Sequence, residues 1–254
     1  MEETSRDEFF HYHFNDENSL ALATHFELEE EIHSEPIEGI EMLNLKTPFL
    51  VFGKDGYGHH MTFYIMKRAK ALFEESKNSK GVNKLYYIHI DSHKDYESQA
   101  FGVKYLNFVH YIHEYNLVEA SFWMTPAIFR EEKKYVKTDV LSYSDKRFCE
   151  GPTEGSVVYV SIDVDFFRYD MINHRFPHAS GRIAPEELRA EIEGMKKKWK
   201  IIGADITGYS DFERQDCGKR LNPAARAESM KNISMLRAAI VGKQNSRPAV
   251  KLST

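Results

Sequence analysis

The sequence predicts an α/β fold in which a mainly parallel central sheet is flanked by helices, as a single domain over residues 1–254. Three observations carry that expectation. Short continuous apolar runs such as "PFLVFG" and "SVVYVSIDVDFF" suit strands buried on both faces. Longer segments between them place apolar residues at helical spacing. From Thr47 onward the two patterns alternate, which is the order that yields a parallel sheet covered on both sides.

The elements follow in order. Residues 1–47 are rich in acid, and the alternation in "LALATHFELEEE" reads as one or two N-terminal strands in an extension. "PFLVFG" is the first buried strand. Met61, Ile65, Ala69 and Leu72 then recur at helical spacing, with Gly81 as a stop signal. "KLYYIHID" is a strand, "FGVKYLNFVHYIHEYN" a helix, and "VEASFWMTP" a strand halted at Pro126. "SVVYVSIDVDFF" is the clearest strand of all. "PEELRAEIEGMKKKW" is a helix with Pro185 in its first turn, where proline is tolerated. "IIGADITGY" is the last strand. Asn222 caps a final helix, "PAARAESMKNISMLRAAIV", and residues 243–254 form a loose tail.

Composition narrows the function classes. Of 254 residues, 42% are hydrophobic and 13% aromatic, a globular rather than a disordered balance. A net charge of -5 has the wrong sign for a dedicated nucleic-acid binder. No apolar run approaches a membrane span. "MEETSRDEFF" is acidic and polar where a signal peptide would be basic and then apolar. Cys149 and Cys217 make neither a disulfide framework nor a zinc ribbon, and neither has a paired base for nucleophilic catalysis. A cytoplasmic protein with no membrane or nucleic-acid partner is expected.

Chemistry gathers at the strand ends, where sheets of this kind bind ligands. The first buried strand leads to His59 and His60. The second ends in Asp91, His93 and Asp95, and "SIDVDFF" ends in Asp163 and Asp165. Alternation by two places Asp163 with Asp165, and Asp91 with His93, on one face. Burying so many carboxylates together is prohibitive unless cations neutralise them. Two divalent ions do so in hydrolytic sites, held about 3.5–4 Å apart by bridging carboxylates. Oxygen and imidazole donors without cysteine favour an ion such as Mn(II) over structural zinc. The bland readings of the isolated pieces, a strand-end turn for D-x-D and a surface pair for H-H, lose ground because both carboxylate motifs follow strongly apolar strands.

These residues resemble the motifs of the arginase and agmatinase superfamily. "DSHKD" is similar to its D-A-H-x-D motif, "SIDVDFF" to S-x-D-x-D and "GHHM" to G-D-H-S, in the right order over about residues 48 to 210. "NFVHYIHEYNLVEASFWMTP" and the D-F-F ending resemble more closely a shorter, divergent branch that includes the peptide arginases. That branch converts arginine side chains of ribosomally made precursor peptides to ornithine and urea. The resemblance implies a three-layer arginase-like fold with two Mn(II) per chain. It implies that His60, Asp91, Asp95 and Asp163 bind one ion and Asp91, His93, Asp163 and Asp165 the other. His59 is the alternative to His60, and otherwise lies on the substrate side. Asp95 would also accept a hydrogen bond from the nucleophilic hydroxide. His110 or His113, three residues apart on one helix face, would carry a proton to the leaving amine.

The departures from the family pattern are specific. Arg168 and Tyr169 stand where the family has D-P, with Asp170 nearby, and Gly208 falls where free-arginine enzymes place the acid that grips the guanidinium. Asp211 is the preferred substitute, with Asp205 and Glu213 as alternatives. "YESQAF" lacks the asparagine that holds the ends of free arginine, as a site open to a peptide would. The expected activity is therefore Mn-dependent hydrolysis of arginine within a precursor peptide. Its rivals are hydrolysis of free arginine, agmatine or another small guanidino compound, amide deacetylation on the same fold, and a non-catalytic scaffold.

Overall fold

The computed structural model of the chain describes residues 50–52, 58–77, 84–93, 95–96, 107–126, 152–174, 181, 183–210 and 221–241. The expected N-terminal strands, the tail, Cys149, Cys217, Asp211 and Glu213 lie outside the described residues.

Five strands form one sheet: β1 (Leu50–Phe52), β2 (Leu85–Ile90), β3 (Ala120–Met124), β4 (Val157–Asp163) and β5 (Lys200–Thr207). Their spatial order is β1-β5-β4-β2-β3, and every pairing is parallel. Among the described residues four helices accompany them: α1 (Thr62–Lys77), α2 (Phe108–Glu114), α3 (Pro185–Lys198) and α4 (Pro223–Val241). α1 packs against α2, and α3 against α4.

The order explains the layers. From β1 to β2 and from β2 to β3 the chain steps across the sheet in one direction, whereas from β4 to β5 it steps back. Right-handed crossovers in opposite directions put α1 and α2 on one face and α3 on the other. The reversal falls between β2 and β4, which are neighbours. Their carboxyl ends therefore flank the crevice in which open α/β sheets bind ligands.

Local chemistry accounts for the helix starts. Pro185 opens α3, and Glu187 turns back to accept the Ala184 N–H at 2.9 Å. Asn222 caps α4, its Oδ1 accepting the Ala225 N–H at 2.9 Å. Tyr87, Tyr159, Phe63, Phe108, Phe166 and Ile88 are among the fully buried side chains that fill the space between sheet and helices. Among the described residues no helix is long and apolar enough to cross a membrane.

Two elements differ from the sequence reading. The helix expected over "FGVKYLNFVHYIHEYN" is described from Phe108 to Glu114, after the buried Asn107, and residues 101–106 lie outside the described set. The strand read through "SVVYVSIDVDFF" stops at Asp163, and Val164–Phe166 is a 3₁₀ turn.

Candidate metal centre

The early end of both strands changes how the motif residues meet. Strand alternation does not pair Asp163 with Asp165 or Asp91 with His93, because each motif's second residue lies beyond its strand. A side-chain-to-backbone turn does so instead. Asp91 Oδ1 accepts the His93 N–H at 2.7 Å, and Asp163 Oδ1 accepts the Asp165 N–H at 2.9 Å. The two turns are tied together, since the Ser92 N–H donates to Asp165 Oδ1 at 3.3 Å and the Ser92 hydroxyl to the Asp165 carbonyl at 3.0 Å. Asp95 follows at φ 45°, in the left-handed region that aspartate tolerates better than most residues.

Each turn spends one carboxylate oxygen on the backbone and leaves the other for the site. His59, in the 3₁₀ turn Gly58–Met61, meets those free oxygens. Its Nδ1 lies 3.0 Å from Asp91 Oδ2, 3.1 Å from Asp163 Oδ2 and 3.2 Å from Asp95 Oδ2. On the other side, His93 Nδ1 lies 2.8 Å from Asp165 Oδ2 and 3.5 Å from Asp91 Oδ1. Four carboxylates and two imidazoles thus converge, with Asp91 shared by both halves. His60, the histidine preferred from sequence, is buried in the same turn but joins neither of the tight donor groups found among the described residues, His59–His89–Asp91 and Asp91–His93–Asp165. Neighbours in so tight a turn point in different directions, and here His59 is the one aimed at the carboxylates.

The electrostatics suit a cation. Burial works against charge on His59, yet the carboxylates of Asp163, Asp91 and Asp95 outweigh it and hold the imidazole well above its usual range. His93 is pushed up to about 11 by Asp165 and then Asp91. Burial, reinforced by Asp91, raises Asp95, and burial with Asp163 and Asp91 raises Asp165. Asp91 goes the other way: burial is overcome by His59 and His93, and the carboxylate stays well below its usual range. His59 Nδ1 and Asp91 Oδ2 are both buried, at ion-pair distance but in poor hydrogen-bond geometry. Hard oxygen and imidazole donors clustered in this way fit a pair of divalent ions.

A layer of polar residues that the sequence reading mostly missed lies beneath. Across the sheet His89 of β2 pairs with Ser161 of β4, which pairs with Asp205 of β5. Ser161 donates to Asp205 Oδ1 at 2.6 Å, so its oxygen accepts from His59 Nε2 at 2.9 Å. Thr62 also donates to Asp205 Oδ1, and the Tyr159 hydroxyl donates to Oδ2 at 2.7 Å. Asp205 is fully buried with both oxygens engaged, so it supports Ser161 and is not a free guanidinium anchor. Alternation supplied the missed signal: Tyr87, His89 and Asp91, and Tyr159, Ser161 and Asp163, are polar at every second position of otherwise apolar strands.

The remaining expected residues sit as follows. Gly208 has φ 89°, and a Cβ there would collide with the Asp163 carboxylate, so this backbone admits no acid at that place. His113 is buried, with Nε2 2.8 Å from the Ser121 hydroxyl. His110 is partly exposed, 3.3 Å from Glu114, and its ring meets Tyr96 edge-on. Arg168 donates twice to Asp170 at the surface, 3.0 and 2.6 Å.

No protein-family model and no curated protein matches the sequence. Solved structures do. Proclavaminate amidino hydrolase from Streptomyces clavuligerus superposes with a TM-score of 0.51 at 16% identity, over 80% of this chain and 68% of that one. Formimidoylglutamase from Bacillus subtilis gives 0.50 at 10% identity, over 76% of this chain and 60% of that one, so the chain spans less than two thirds of its length. An arginase from Medicago truncatula gives 0.47 at 16% identity, over 76% and 59%. At these identities likeness establishes the fold alone, and it is the arginase-like α/β fold that the motifs led one to expect.

Proposed function

We propose that the chain is a manganese-dependent hydrolase of guanidino groups, acting on arginine side chains of a ribosomally made peptide to give ornithine and urea. The observation that carries this reading is the convergence of four aspartates and two histidines at the crevice between β2 and β4. His59, Asp91, Asp95 and Asp163 would hold one ion, with His59 in the role first given to His60. Asp91, His93, Asp163 and Asp165 would hold the other. When bound, such ions bring the pKa of water down towards neutrality and so supply a nucleophile at physiological pH.

The chain's own residues do the rest. An arginine guanidinium stays protonated, so its carbon is a poor electrophile that must be held in place and screened from bulk water. With position 208 closed to a side chain, Asp211 is our preferred anchor for the cation, with Glu213 as alternative. Asp95 accepts a hydrogen bond from the attacking water. Addition at the guanidino carbon is followed by breakage of its bond to the side-chain nitrogen, which needs a proton to leave as an amine. Both His110 and His113 meet Tyr96, the neighbour of Asp95, edge-on; His110 is our preferred donor because it is partly exposed, whereas His113 is buried against Ser121. The peptide assignment rests on the resemblance to the peptide arginase branch and on the missing free-arginine contacts in "YESQAF".

Mass spectrometry of an arginine-containing precursor peptide, incubated with the protein and Mn(II), tests the reading. Adding water and losing urea lowers the mass by about 42 Da per arginine. An unchanged peptide, alongside urea from free arginine or agmatine, would transfer the activity to a small guanidino substrate. No turnover and no bound transition metal would leave a scaffold.

A further inference from the structure

His89 is a buried titratable residue beside the cluster to which no role has been given. It stands on β2 two residues before Asp91 and is fully buried. Its Nε2 lies 3.0 Å from the His93 carbonyl oxygen and its Nδ1 3.1 Å from the Tyr87 hydroxyl. A carbonyl only accepts, so Nε2 carries a proton. On its other side Nδ1 meets the Tyr87 hydroxyl, so the ring is held between that hydroxyl and the His93 carbonyl. The ring also stacks on His59, with centroids 5.1 Å apart and planes 24° from parallel, and Phe108 packs against both.

Donor geometry alone groups His89 with His59 and Asp91 as a possible ligand, since its Nε2 is 3.4 Å from Asp91 Oδ2. The hydrogen bonds argue otherwise. A ligating nitrogen must offer a lone pair, and the nitrogen of His89 that faces the cluster has given its place to a proton.

We propose that His89 is a positioning residue of this centre and not one of its ligands: its Nε2–H fixes the His93 carbonyl, and its ring sets the plane of His59. It thereby couples the two imidazoles across the shared carboxylate of Asp91. The inference rests on the metal-centre reading above. Tyr87 and His89 alternate along β2, and Asp91 follows one residue after the strand ends, so support and ligand stand at successive alternate positions. Residues that orient ligands in this way typically cost about 10–100-fold in metal affinity when lost.

The test combines a spectroscopic readout on the wild-type chain with two variants. With ¹⁵N-labelled histidine, His89 should show the tautomer protonated at Nε2, assigned by the signal missing from His89→Gln. Mn(II) titration should then give full stoichiometry in His89→Gln, whose amide can still donate to the His93 carbonyl. His89→Phe keeps the stacking but not the donor, and should bind roughly 10–100-fold more weakly at unchanged stoichiometry. Protonation at Nδ1, affinity in His89→Phe equal to wild type, or loss of one whole equivalent of metal in both variants would overturn the proposal while leaving the metal centre intact. A wild-type chain that binds no divalent ion would instead overturn the centre itself, and this inference with it.

Discussion

The two imidazoles of the cluster share Asp91 but sit on different turns, His59 in a 3₁₀ turn and His93 in the aspartate-capped turn after β2, and in unlike surroundings. The His59 side chain is 4% exposed, faces three carboxylates, and is pinned from behind by Ser161 and, through it, Asp205. The His93 side chain is 48% exposed, faces two carboxylates, and is anchored mainly through its backbone. One half is closed and built before any ligand arrives. The other is half exposed to solvent. Structural metal sites are closed and catalytic ones keep an accessible position. In the function proposed above, the closed half would hold one ion firmly and the exposed half would offer the other to chemistry.

Substitutions should expose that asymmetry. Asp91 serves both halves, so Asp91→Asn should abolish binding of both ions and all turnover, read by elemental analysis and urea release. Retention of either ion would mean that the halves are independent. His59→Ala should come next, removing the closed-side ion and destabilising the chain, because it strips the counter-charge from the buried Asp91 and Asp95 and the partly buried Asp163. His93→Ala should lose only the open-side ion and destabilise the chain less than His59→Ala does, since its exposed side chain faces two carboxylates rather than three. Equal effects of the two histidine variants would erase the distinction. Tyr159→Phe should be milder, at about 1–3 kcal/mol of stability for a buried carboxylate short of one donor, with metal stoichiometry unchanged.

Acidity sharpens the same contrast. His59, His93, Asp95 and Asp165 all have folded-state values raised above the ordinary ones. The chain without divalent ions therefore holds more protons folded than unfolded through these groups. The histidines' stabilising contribution is present at low pH and declines as pH rises, for His93 through a window from about 6.5 to about 11, while ionising the buried Asp95 and Asp165 adds a penalty in the same direction. Asp91, held below its ordinary value, acts in the opposite sense only at acid pH. Bound metal replaces those protons, so affinity for Mn(II) should rise with pH. Calorimetry in buffers of different ionisation enthalpy should record proton release on binding. Affinity that is flat between pH 6 and 8 would mean that the imidazoles are not displaced from their protons.

How much of this was legible beforehand follows from where each signal resides. β2, β4 and β5 were readable because strands buried on both faces carry mostly apolar runs. Asp91, His93, Asp95, Asp163 and Asp165 were readable because short motifs concentrate them. The choice between His59 and His60 was not, since adjacent residues in a 3₁₀ turn differ only in direction. Strand alternation misdescribed the carboxylate pairs, because an aspartate at a strand end can capture the N–H two residues on and turn the chain there. The tie from His59 through Ser161 to Asp205 joins residues far apart in sequence and becomes visible only once β4 and β5 are in register.

The most direct test of the centre is the number of Mn(II) ions the purified chain binds, measured by elemental analysis with titration calorimetry. Two ions per chain, one markedly tighter than the other, is the expected result for the closed and open halves. Binding of no divalent ion, or of two that are indistinguishable and survive Asp91→Asn, would contradict it.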